Sequence, residues 1–257
     1  MMQVRAAKKL IRKKRRQYEI QNRPFSDMKP DTQLAEYLDR TTFINKEGAG
    51  CEFTELQKHD LNLVLQKRFA LLNWQQGSGK TAAVYHRAKY LLKYRKVRNV
   101  IILAPAIATN MTWVPFLTIN RERFRMVRNN ADLETVPEGV FLVLSTSMLG
   151  KLKRGLTKFI RRTSRKLCLV FDESDEITNP SSQRTRHILG IFRRLKYKIL
   201  DTGTTTRNNI AELYSQFELL YNNSINMICW CSRIYHENRD REIEEDPNPH
   251  YGEPFPA

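Results

Sequence analysis

Apolar residues recur along this chain in two rhythms, and the alternation between them predicts an α/β fold. Leu56, Leu61, Val64 and Leu65 lie at helical spacing and predict a helix from about residue 52. Phe69-Ala70-Leu71-Leu72-Asn73-Trp74 follows as a short apolar run, read as a buried strand entering a glycine-rich loop. Residues 80 to 94 return to the helical period, with Val84, Ala88, Leu91 and Leu92 on one face. Further strands are predicted at Val100 to Leu103, Val140 to Leu144, Leu167 to Phe171 and Tyr197 to Leu200, separated by helical patterns. Unbroken apolar runs, in contrast to alternating ones, belong to strands buried on both faces. The expected architecture is therefore a mostly parallel central sheet with helices on both sides.

The two ends of the chain depart from this pattern. Residues 1 to 18 hold eight Lys or Arg (Arg5, Lys8, Lys9, Arg12, Lys13, Lys14, Arg15, Arg16) and no acid, with Val4, Ala7, Leu10 and Ile11 at helical spacing. This basic helical arm is compatible with nucleic-acid binding, a nuclear-localisation-like patch, or a solvated helix packed by its thin apolar stripe. An Arg-rich presequence is a fourth reading, weakened by the lack of serine. Beyond residue 236 come seven acids and four prolines. The division expected is an amino-terminal extension over 1–50, a principal domain over 51–235, and an acidic, Pro-rich segment over 236–257 that is the truncated start of further sequence.

Charge narrows the partners. Lys and Arg number 44 against 27 acids among 257 residues, a net charge of +17 that favours a polyanion such as DNA or RNA. No apolar run reaches the 18 residues of a membrane span and no signal-peptide core is present, so no membrane partner is expected and a cytoplasmic or nuclear location is. Cys51, Cys168, Cys229 and Cys231 lack disulfide-framework or Cys-x2-Cys spacing and are read as thiols.

The most specific chemistry lies at Gly77-Ser78-Gly79-Lys80-Thr81. Glycines let consecutive backbone N–H groups face phosphate oxygens, and the helix that follows adds a favourable dipole. In such a loop Lys80 reaches the β- and γ-phosphates of ATP, and the Thr81 hydroxyl joins Mg²⁺. The broad pattern places glycine six positions before the lysine, where this chain has Trp74. Hydrolysis also needs a metal-holding carboxylate at the end of a neighbouring strand. Asp172 and Glu173, directly after Leu167 to Phe171, supply one for Mg²⁺ and one to polarise water, although an acidic N-cap after a strand has the same appearance.

Asp172-Glu173-Ser174-Asp175 with Ile177, Asn179-Pro180-Ser181-Ser182 and Arg184 resembles motif II of the SWI/SNF-type superfamily 2 ATPases. Thr202-Gly203-Thr204-Thr205-Thr206-Arg207-Asn208-Asn209 with Glu212-Leu213-Tyr214 resembles that family's motif III. Leu103-Ala104-Pro105 with Trp113 is similar to motif Ia, and Ser145-Thr146 to the segment touching the tracking strand. Gln57 stands where the family's adenine-reading glutamine is expected. The resemblance implies the first RecA-like lobe of a DNA-dependent motor, binding ATP and Mg²⁺ and contacting nucleic acid, usually duplex DNA, through Pro105, Ser145, Thr146, Thr202, Gly203 and Thr204. Asp175 replaces the family's motif II histidine and Thr205 its motif III proline. The arginine-bearing motifs of a second lobe have no counterpart in these residues. A further lobe, downstream or on a partner, is expected, and a poor rate for this chain alone. A second basic run, Lys151, Lys153, Arg154, Lys158, Arg161, Arg162, Arg165 and Lys166, lies between the strands at Val140 to Leu144 and Leu167 to Phe171 and fits phosphate contacts or a solvated helix face.

Overall fold

The computed structural model describes residues 2–203 and 213–221. Its centre is a six-stranded parallel sheet formed by β3 (Phe69–Leu72), β4 (Asn99–Ala104), β5 (Phe124–Met126), β6 (Phe141–Ser145), β7 (Leu167–Phe171) and β8 (Tyr197–Asp201), in the spatial order β3-β8-β7-β4-β6-β5. Every residue of β4 and β7 is buried, as the unbroken apolar runs require. Alternate side chains serve two cores. Val100, Ile102, Val143, Val170 and Ile199 face one side with helices α3 (Glu55–Gln66), α4 (Lys80–Lys93) and the segment around Trp113 to Leu117. Ile101, Leu103, Leu142, Leu169 and Leu200 face the other, with α7 (Leu149–Arg162), α8 (Gln183–Phe192) and α9 (Tyr214–Leu220).

The element boundaries have local causes. Helix α3 starts three residues later than the periodicity suggests, because Thr54 and Gln57 form a reciprocal capping box. Leu56 lies outside the core, 74% exposed. Strand β3 ends at Leu72, two residues short of the apolar run, since the Trp74 indole turns away to donate to Asp60 Oδ2 at 3.0 Å. Three elements carry no readable pattern in the sequence: helix α2 (Thr32–Asp39), the hairpin of β1 (Thr42–Ile44) and β2 (Gly50–Glu52), and edge strand β5. Helix α2 places Leu34 and Leu38 in the same core as α3, and the hairpin spans the expected domain boundary at residue 50. The 1–50 segment is thus not a separate extension over its whole length, because its second half fills the lobe's own core.

The basic arm is helical, α1 (Met2–Asn22). Ile11 is 64% exposed. The buried Gln21 amide donates to the Phe69 carbonyl at 3.0 Å and accepts from the Arg68 N–H at 2.7 Å, completing the edge of β3. Beneath it, the buried Arg87 of α4 donates to the carbonyls of Lys67 and Arg68, fixing where β3 begins. Cys51 and Cys168 are thiols; Cys229, Cys231 and the acidic segment 236–257 lie outside the described residues. Among the described residues no helix is long and apolar enough to cross a membrane.

Lys198 of β8 is fully buried, donating to the Arg193 carbonyl at 2.8 Å and the Leu219 carbonyl at 2.5 Å. It thereby closes the ends of α8 and α9. Burial draws its pKa down to about 7. Between that value and the ordinary lysine value of about 10.5 the unfolded chain binds the extra proton, so this side chain's contribution to stability rises with pH across the window. Lys198→Met strands two carbonyls and is expected to cost about 1–3 kcal/mol. The deficit relative to wild type, read from thermal melts at pH 6.5 and 9.5, should widen at the higher pH.

Candidate active site

The glycine loop, the acidic pair and the Thr202-Gly203 turn all lie beyond the carboxyl ends of neighbouring strands, the edge where open α/β sheets bind ligands. Strand β3 feeds the loop and α4 leaves it. Gly79 is the N-cap of α4, at φ +81°, and a methyl group on it would stand 3.2 Å from Gln57 Nε2. Gly77 also has φ +81°. Both positions need glycine for conformational reasons, which turns consecutive N–H groups toward one point. Gln57 reaches across from α3: its Nε2 donates to the Ser78 carbonyl at 2.9 Å while its Oε1 accepts from the Thr54 N–H. The side chain expected to read adenine is thus fixed against the phosphate loop.

Lys80 Nζ donates to the carbonyls of Trp74 and Gln75, each at 3.0 Å, so it lies folded over its own loop. Trp74, where broader patterns have glycine, serves as one of the two carbonyl partners and is itself tied to α3 through Asp60. A methyl group on Gly203 would come within 3.6 Å of the Lys80 ammonium. The turn after β8 therefore passes close to the lysine, which no linear spacing could reveal. Thr202 is buried and donates its N–H to the Leu72 carbonyl at 3.3 Å; Thr204 lies outside the described residues. Thr81 stands in the first turn of α4, half-buried.

Asp172 follows β7 and is nearly buried, its Oδ2 accepting from the Trp113 indole N–H at 2.7 Å. Glu173 has φ +53° and ψ +55°, a left-handed conformation that costs a non-glycine residue on the order of 1 kcal/mol. Burial raises its pKa first, then repulsion from Asp172 and Asp175, against the opposing pull of Lys80. Asp201, the last residue of β8, carried no motif signal. It is fully buried, neither oxygen makes a hydrogen bond of good geometry, and burial followed by the neighbouring Asp172 pushes its pKa far above the ordinary carboxylate range. Ser174 Oγ donates to Gln216 Oε1 at 2.9 Å, joining the acidic turn to α9.

Lys80 opposes the carboxylates around Glu173, and Asp172 and Thr81 are the residues here that could hold a divalent cation. No group of three or more His, Cys, Asp or Glu among the described residues could hold a metal alone. A cation here would complete its shell with phosphate oxygens and water, the habit of Mg²⁺.

The strand-contact residues are less uniform. Pro105 directly follows β4 and is half-buried. Ser145 Oγ caps the turn after β6 by accepting from the Ser147 N–H at 3.3 Å. Thr146 points inward, 5% exposed, and the hydroxyl facing outward is that of Ser147. Both residues belong to the 3-10 turn Thr146–Met148 that follows β6, and the geometry of that turn, not strand alternation, sets which side chain is buried.

No protein-family model matches the chain, and no curated protein matches it in sequence. Solved structures do match. The SWI2/SNF2 ATPase core of Sulfolobus solfataricus, solved with dsDNA, aligns at a TM-score of 0.56 and 16% identity over 70% of this chain and 38% of that one. The UvsW helicase of bacteriophage T4 aligns at 0.53 and 14% identity over 76% of this chain and 67% of the other. This chain therefore spans well under half the length of the first. At such identities the likeness is one of fold: a RecA-like α/β arrangement, with the glycine loop and acidic turn at the carboxyl edge of the sheet.

Proposed function

We propose that this chain is the ATP-binding lobe of a DNA-dependent ATPase that translocates on duplex DNA, and that efficient hydrolysis needs a second RecA-like lobe. The observation that carries this reading is the convergence of Lys80, Gly203, Asp172 and Glu173 on one edge of the sheet, with backbone strain at Glu173.

In the proposed reaction, water attacks the γ-phosphorus, its proton passes to a Glu173 carboxylate oxygen, and the bond to the β–γ bridging oxygen breaks to release ADP and phosphate. Lys80 leaves the carbonyls of Trp74 and Gln75 for the phosphate oxygens, and the loop amides between Gly77 and Thr81 hold the same charge. Mg²⁺, held by Thr81 and Asp172, would neutralise charge shared by the β- and γ-oxygens. An arginine finger from the second lobe is worth about 10³ to 10⁵ in rate in such motors, so this lobe alone should turn over slowly.

Duplex contact is assigned to the carboxyl edge, through Pro105, Ser145 and the Thr202-Gly203 turn, and to helix α7. Lys151, Lys153, Arg154, Lys158, Arg161 and Arg162 are all exposed on α7 while Leu152, Leu156 and Phe159 are buried. That basic face runs about 21 Å from the end of β6, long enough to meet several phosphates. Neutralising Lys151, Arg154, Lys158 and Arg161 together should flatten the salt dependence of binding, the slope of log K against log[salt] falling by about 0.9 for each duplex phosphate that the protein no longer neutralises. An unchanged slope would mark α7 as a solvated face.

The function itself is tested by ATP turnover of the full-length protein with duplex DNA, single-stranded DNA and RNA. Stimulation by duplex DNA is expected. Stimulation by RNA alone, with strand separation, would replace this reading by an RNA helicase, and nucleotide-dependent DNA binding without turnover would reduce it to a binding module.

A further inference from the structure

Between Pro105 and Ile119 the chain forms helical segments α5 (Ala106–Ala108) and α6 (Val114–Ile119), joined by one π-helical turn, Thr109–Trp113. A π turn inserts one residue into a helix, which rotates everything before it relative to everything after it. Here the two consequences lie on opposite sides. Ile107 and Met111 are 78% and 69% exposed, beside Pro105 at the end of β4. Trp113, at the end of the same turn, is wholly buried and drives its indole N–H onto Asp172 Oδ2.

A buried indole N–H needs a partner, and a main-chain carbonyl would satisfy it. This one takes an oxygen of the carboxylate that the active-site reading gives to the metal. The indole holds Oδ2 at 2.7 Å and Asp201 lies against the same carboxylate, so two side chains orient it. Partners of this kind orient a metal ligand, and losing one costs about 10- to 100-fold in metal affinity.

We propose that Trp113 is a positioning residue for the metal-holding carboxylate, and that the π turn carrying it transmits nucleic-acid contact at Pro105–Met111 to the metal. The inference rests on the function proposed above. A strand seated here presses Ile107, just before the turn, and Met111, within it, and the buried end of the same turn is Trp113. The turn has a built-in alternative, since expelling the extra residue returns it to α-helical register and moves the indole relative to Asp172. Hydrolysis would then respond to the strand through the geometry of one hydrogen bond.

The test measures Mn²⁺ affinity by electron paramagnetic resonance on full-length protein loaded with a non-hydrolysable ATP analogue, with and without a short DNA duplex. Wild type should bind Mn²⁺ several-fold more tightly with duplex present. Trp113→Phe should bind it about tenfold more weakly and respond to duplex little or not at all. A Trp113→Phe protein with wild-type Mn²⁺ affinity, or one that responds to duplex by the wild-type factor, overturns the proposal. Failure of the underlying function looks different: wild type itself would then show no nucleotide-dependent Mn²⁺ site. Because phenylalanine leaves a void where the indole was, the same question is put to unaltered protein by NMR. The Trp113 indole N–H resonance, assigned by substituting the other tryptophans, should move on addition of Mg·ADP and again with duplex. A resonance indifferent to both overturns the proposal independently of any variant.

Discussion

Replacing Glu173 with glutamine is expected to lower duplex-stimulated ATP turnover by about 10²- to 10⁴-fold, the ordinary worth of a positioned general base, while leaving nucleotide affinity within a few-fold of wild type. Glutamine keeps the length of the side chain and cannot take the proton from water. The same change should stabilise the fold. Glu173 is held in a left-handed conformation among Asp172 and Asp175, and its pKa is raised. A carboxyl whose folded pKa lies above its unfolded value carries a penalty at neutral pH that disappears below the unfolded value of about 4.3. Glu173→Gln should therefore melt above wild type at pH 7, with the difference vanishing below about pH 4. Wild-type turnover should also fail on acidification at a higher pH than an ordinary glutamate would give. A variant that turns over at the wild-type rate removes Glu173 from the chemistry, whatever its melting temperature.

Lys80→Ala is expected to act earlier in the cycle. The ammonium is the cation whose charge opposes the acidic cluster, and its partners in this structure are the carbonyls of Trp74 and Gln75. Those carbonyls face the solvent-accessible loop, so losing the lysine should cost little stability. Removing a charge-assisted hydrogen bond to phosphate should weaken ATP binding by at least tenfold, and hydrolysis further, because charge on the phosphoryl oxygens grows toward the transition state. Calorimetric titration with ATP and ADP checks this directly. Loss of ATP affinity with ADP affinity nearly kept would place the lysine on the γ-phosphate; undiminished turnover would sink the assignment of this loop.

Several of the site's constraints are invisible in the linear chain. Asp201 lies just past the strand predicted to end at Leu200 and carries no motif signal, yet it is buried against Asp172. Trp113 stands 59 residues from Asp172, and its reach depends on a π turn that no periodicity announces. Gln21, past the basic run, carries no signal in the sequence and ties α1 to the start of β3. In each case a polar atom lacks a local partner and is placed by the fold, so neither spacing nor composition carries the information.

What the sequence determined by itself was the sheet and where its glycine-rich and acidic turns fall. Unbroken apolar runs at Val100, Leu142 and Leu167 suit strands buried on two faces of a covered parallel sheet, and Gly77 and Gly79 mark backbone conformations other residues resist. Tertiary structure decided the rest: that Gly203 approaches Lys80, that Thr146 turns inward, that α2 belongs to the core, and that an indole holds the Asp172 carboxylate. The reason is physical. Burial and dihedral preference are properties of a residue and its near neighbours, whereas the pairing of distant polar groups is settled only when packing brings their strands to one edge.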